Sequence, residues 1–174
     1  MINKEDADKK LSDFINEFKT NEIGIFKVNY KENDANKKYE IYIDYSEIIK
    51  GINDNKYEKY KTKLDAYINQ FVPSNTKFII YLNDSSSKEL ADYIYDKIKT
   101  NYIHENLPIL IAQKDSLKEK IDNKNISGSV LVVGSCISNG KNLLYLSRAL
   151  RNYDSLRVVY FTGITRMNNE KTLK

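Results

Sequence analysis

The stretch LVVGSCISNGKNLLYLSRAL, residues 131–150, sets a short polar loop between an apolar run and a helical pattern. In α/β proteins, backbone N–H groups between a strand and a helix start make a phosphate cradle. Ser138, Asn139, Gly140, Lys141 and Asn142 are the candidates for that role. Their hydroxyls and amides supplement the N–H groups, glycine allows close approach, and Lys141 adds positive charge. A purely structural reading competes: Ser138 or Asn139 caps a helix over 141–152, and Gly140 permits the turn. A second polar cluster, NDSSSKE at 83–89, follows an apolar run. There Asp84, with Ser85 beside it, is a candidate metal or acid–base residue, although the same residues suit a helix N-terminus. Arg166, in TGITR after the last apolar run, is the remaining candidate for a ligand or partner contact.

Other phosphate chemistries fail on spacing. A Walker A loop requires GxxxxGK[ST], but five residues separate Gly134 from Gly140, and Asn142 stands where the magnesium-binding hydroxyl belongs. A Cys-x5-Arg phosphatase loop starting at Cys136 puts Asn142 in place of the arginine. His104 is the sole histidine, and it lies in a polar loop near the N-terminal end of a strand, on the wrong side of a sheet to assist Cys136. Cys136 therefore reads as a small packing residue. No residue is assigned a catalytic role, and one cysteine with one histidine argues against a zinc site.

The elements that must position these loops are legible in the hydrophobic pattern. Residues 5–19 carry Leu11, Phe14, Ile15 and Phe18 at helical spacing. EIGIFKVNY (22–30) and KYEIYIDY (38–45), joined by a polar turn, read as a β-hairpin. Residues 56–71 read as a helix with Tyr57, Tyr60, Leu64, Tyr67, Ile68 and Phe71 on its apolar side, ended by Pro73. The rhythm then changes. Apolar strands are expected at 77–82, 107–112, 129–134 and 156–161, with helices at 86–99, weakly at 114–122, and at 141–152. Ser86-x-x-Glu89 reads as a capping box for the first of these helices. Such alternation demands crossovers and a mainly parallel sheet. The expected fold is α/β, a mainly parallel sheet with flanking helices, preceded by an N-terminal helix and an antiparallel hairpin. It is read as a single domain over 1–174, with an N-terminal portion 1–72 and a core over 73–166. Ligands of open parallel sheets bind at the C-terminal ends of the strands, where both polar loops fall. Arg148 and Arg151 lie in a last helical turn and complement its dipole.

Residues 130–143, VLVVGSCISNGKNL, resemble the signature segment of type I phosphoribosyltransferases: four apolar strand residues, two acids, two apolar residues, then a Thr-Thr-Gly-x-Thr-like loop and a helix. Val130 to Val133 match the strand, Cys136 and Ile137 the apolar pair, and Ser138, Asn139, Gly140 and Asn142 the 5′-phosphate loop. KFIIYLNDSSSKELADYIYDKI resembles the family's earlier strand, pyrophosphate loop and helix, so the likeness covers roughly residues 70–166. The two acids that bind the ribose hydroxyls in the family are replaced by Gly134 and Ser135, and the first loop lacks the usual basic residue beside glycine. The resemblance implies a phosphoribosyltransferase-like fold, a pseudoenzyme without transferase activity. It also implies binding of a nucleotide or phosphosugar, or of a protein partner, as in the sensor and effector modules of bacterial defence systems. Magnesium would enter only with a phosphorylated ligand. Two rival readings stay open: an active enzyme using the same pocket on a nucleotide-like substrate with Asp84 as the acid, and a structural interaction module.

Composition bounds these readings. The chain has 174 residues, 41% of them hydrophobic, enough for a real core. The 28 basic and 24 acidic residues are interspersed and leave a net charge of +4, which does not indicate nucleic acid. No apolar run reaches the roughly 20 residues of a membrane span. MINKEDADKK has no apolar segment of a signal peptide, so a cytoplasmic location is expected. An uncovered edge at the fourth strand would invite pairing with a partner or a second copy.

Overall fold

The computed structural model describes Lys9, Ser12 and residues 26–31, 38–101, 107–121, 126–137 and 140–165. The helix expected at 5–19, His104, Ser138, Asn139 and Arg166 lie outside the described residues. The chain forms two compact units, Met1–Thr62 and Lys63–Lys174.

In the first unit, β1 (Phe26–Lys31) and β2 (Lys38–Ile43) pair antiparallel, with Phe26 opposite Ile43 and Lys31 opposite Lys38. This is the expected hairpin, but β2 ends two residues early. Asp44 caps a helix the pattern reading missed, α1 (Tyr45–Asn53), by accepting the Ser46 N–H at 3.2 Å. Tyr45, Ile48, Ile49 and Ile52 of α1 are buried. Gly51 is required by close approach: the ring of Tyr57 occupies the space of a Cβ there. The Tyr45 and Tyr60 hydroxyls are 2.6 Å apart, and their rings meet edge to face.

The boundary between the units falls within α2 (Glu58–Phe71). On this helix Leu64 and Ile68 are buried, whereas Tyr67 and Phe71, expected on the apolar side, are more than half exposed. Helical spacing groups residues on a face but does not tell which part of a wide face meets the core.

The second unit is an α/β fold. Its strands are β3 (Thr76–Tyr81), β4 (Ile109–Ala112), β5 (Gly128–Ile137) and β6 (Leu156–Thr165). Its further helices are α3 (Ser85–Asn101), α4 (Leu117–Lys120) and α5 (Lys141–Leu150). The four strands run parallel in the order β4-β3-β5-β6. Consecutive residues of β3 and β5, such as Ile79 with Ile80 and Leu131 with Val132, are fully buried, so both faces of the sheet are covered. One face joins Phe78, Ile80, Val130 and Val132 to Leu146 and Leu150 of α5 and to Ile121 just after α4. On the other, α3 packs against β3 and β5 and buries Leu90, Ala91, Ile94 and Ile98. Asp65 of α2 fastens that helix to α3, accepting from the Tyr93 hydroxyl and from Lys97 Nζ, each at 2.6 Å.

Two strands run past their expected ends. β5 runs to Ile137 rather than stopping at Gly134, and β6 runs to Thr165, because the two strands pair as far as Ile137 opposite Thr165. Gly134, Ser135 and Cys136 are therefore strand residues, and Gly140 immediately precedes α5. Among the described residues β6 is an edge of the sheet.

Candidate functional site

From β3 the chain leads through α3 to β4 on one side; it then returns across β3 to β5 and goes on to β6. Neighbouring β3 and β5 thus hand their following loops in opposite directions, which makes their C-terminal ends the switch point where open α/β sheets bind ligands. Asp84 and Ser135 meet there although they are 51 positions apart in the chain, because β3 and β5 are hydrogen-bonded neighbours.

The switch point holds a compact polar knot. Asp84 Oδ1 accepts the Ser87 N–H at 2.7 Å and the Ser135 hydroxyl at 3.0 Å. Asp84 Oδ2 accepts the Ser87 hydroxyl at 2.7 Å. Ser87 Oγ in turn accepts the Ser135 N–H at 2.8 Å, and the two hydroxyl oxygens lie 3.2 Å apart. Ser87 and Ser135 are buried, whereas Asp84 lies at the surface. Asp84 is thus the cap of α3: its carbonyl accepts the Lys88 N–H at 3.2 Å and its carboxylate accepts the Ser87 N–H. This corrects the expected capping box at Ser86 and Glu89. Ser85 is simply the first residue of the helix. Sequence reasoning singled out Asp84 but not Ser87; the Asp-x-x-Ser spacing, a cap with a hydroxyl at the third helical position, was the available signal.

Beside the knot, Gly134 makes room for packing rather than for a ligand. A Cβ there would lie 2.7 Å from Ile137 Cδ1 and 3.0 Å from Leu82 Cδ1. Cys136 is half-buried, less enclosed than a residue at the end of an apolar strand was expected to be. Of the expected phosphate loop, Gly140 has φ 68° and ψ 4°, a left-handed conformation that favours glycine, and it immediately precedes α5. Its carbonyl accepts the Leu144 N–H at 2.9 Å. Lys141 and Asn142 are exposed in the first turn of α5. The C-terminal turn of α5 carries Arg148, and Arg151 follows it.

A groove of about 590 Å³ opens between α5 and the turn after β4. Asn83, Gln113, Lys114, Lys118, Tyr145 and Ala149 are among its walls, while Asp84 and residues 140–142 are not. Asn83 braces this turn, its side-chain oxygen accepting the Lys114 N–H at 2.9 Å. The groove escaped the sequence reading because its walls come from three separate segments.

Among the described residues no group of three or more His, Cys, Asp or Glu is placed to hold a metal ion. The residues at the switch point do not suit a magnesium site either: Gly134 and Ser135 carry no carboxylate, and both oxygens of Asp84 accept hydrogen bonds. No helix among the described residues is long and apolar enough to cross a membrane. No protein-family model matches the chain, and no curated protein sequence matches it.

Proposed function

We propose that this chain carries a phosphoribosyltransferase-like domain that binds a nucleotide or phosphosugar without transferring the sugar. The observation that carries the reading is the knot at the switch point. The position of the family's second acid is Ser135, and its hydroxyl is spent on Asp84, while the Asp84 carboxylate is spent on capping α3. An oxocarbenium-like sugar would find no carboxylate pair to steady it. A 5′-phosphate needs only backbone N–H groups and a positive helix end, and Gly140 with Lys141 and Asn142 opens α5 in that manner. Magnesium would come as the counter-ion of the ligand. The sheet edge at β6, with Tyr160 exposed on it, favours a protein partner or a second copy as an additional contact, as expected of a module in a bacterial defence system.

Two measurements test this. Incubation with phosphoribosyl pyrophosphate, magnesium and nucleobases is expected to release no pyrophosphate; turnover that disappears on mutating residues 138–142 would sink the proposal. Ribose 5-phosphate is expected to bind in calorimetry, and Gly140→Val to abolish that binding in a folded protein. Unchanged affinity in that variant would place the phosphate elsewhere, most directly at 83–89.

A further inference from the structure

The groove beside α5 has the chemistry of a base pocket. Its volume, about 590 Å³, falls within the roughly 300–1,000 Å³ typical of small-ligand sites. Its floor is apolar, with Leu146 fully buried and Leu117 packed against the core. Tyr145 stands 65% exposed on the wall, and Ala149, one turn further on, leaves space beside the ring. The Asn83 amide nitrogen, whose oxygen is already engaged by the Lys114 N–H, offers a donor, and the Gln113 amide offers a donor and an acceptor, as the edge of a heterocycle requires. Lys114 and Lys118 outnumber Asp115, whose Oδ2 accepts the Ala112 N–H at 3.4 Å, so the rim is net positive.

We infer that this groove takes the planar base of a nucleotide, stacked on Tyr145 and read at its edge by the Asn83 and Gln113 amides. The inference rests on the nucleotide-binding reading above and extends it. Lys141 and Tyr145 are four residues apart on one face of α5, about 6 Å along the axis, so one ligand can span from the start of α5 to the ring.

Calorimetry with the four ribonucleoside monophosphates, their nucleosides and ribose 5-phosphate separates the two ideas. At least one monophosphate and its nucleoside are expected to bind. Tyr145→Ala should weaken both about tenfold or more, Tyr145→Phe should retain them, and ribose 5-phosphate should not notice either change. Tyr145 is exposed, so neither variant threatens the fold. Silent nucleosides, with monophosphates binding equally well to Tyr145→Ala, would overturn the base pocket and leave phosphate binding standing. Nucleoside binding that Tyr145→Ala abolishes, with no response to ribose 5-phosphate, would keep the pocket and remove the phosphate loop. Silence of every probe would overturn both.

Discussion

Replacing Asp84 by alanine separates a structural carboxylate from a chemical one. The change removes the acceptor of the Ser87 N–H, the Ser87 hydroxyl and the Ser135 hydroxyl. Loss of an N-cap costs about 0.5–2 kcal/mol. A buried hydroxyl left without its acceptor costs about 1–3 kcal/mol. Ser87 and Ser135 are both buried, but their oxygens are 3.2 Å apart, so one can turn to the other and only one donor is stranded. Asp84 itself is exposed, and water refills part of the gap. The sum falls at about 2 kcal/mol. Asp84→Asn keeps a capping oxygen and replaces charge-assisted bonds by neutral ones, for about 1 kcal/mol. Urea unfolding followed by circular dichroism should show the midpoint falling in that order at constant slope. Hydrogen exchange of the Ser135 amide, which is bonded to Ser87 Oγ, should quicken most in Asp84→Ala. An alanine variant as stable as the parent, with Ser135 exchange unchanged, would refute the cap. If asparagine abolished a measurable turnover at undiminished stability, Asp84 would be a proton donor and the non-transferring reading would fall.

Gly134→Ala should destabilise by about 1 kcal/mol in the same assay, near the low end of overpacking, because the Cβ meets the tips of Ile137 and Leu82 rather than backbone. Burial, followed by the charge of Glu47, raises the Tyr57 hydroxyl above the ordinary tyrosine pKa. The stability this contributes is complete below about pH 10 and is lost as pH rises from there through the raised value, so Tyr57→Phe should flatten stability measured across that window. Cys136→Ala should leave nucleotide affinity unchanged and cost at most about 1 kcal/mol, since the thiol is half-buried. Loss of affinity at full stability would make the thiol part of the site.

The alternation of apolar runs with helical spacing in the second half was enough to determine a parallel α/β sheet, because strands covered on both faces must be apolar throughout. Residues 77–82 and 129–134 needed no partner to be recognised. Local chemistry also marked Gly140 as a turn and Pro73 as a stop. The helix Tyr45–Asn53 was legible in principle, from the Asp44 cap and the spacing of Ile48, Ile49 and Ile52, but a strand-like run leading straight into it hid its start. Pairing decided the rest. β5 continues through Gly134, Ser135 and Cys136 because β6 lies alongside to receive its hydrogen bonds, and no local signal in a polar run reports a neighbour. The same adjacency of β3 and β5 turned Asp84 from a free candidate acid into the centre of a hydrogen-bonded knot with Ser87 and Ser135. Exposure of Tyr67 and Phe71, and a groove assembled from Asn83, the turn at 113–118 and Tyr145, likewise depend on which surfaces the folded chain brings together. Local sequence sets the conformations a segment prefers; contacts between distant segments determine which polar groups are spent on the fold and which are left to meet a ligand.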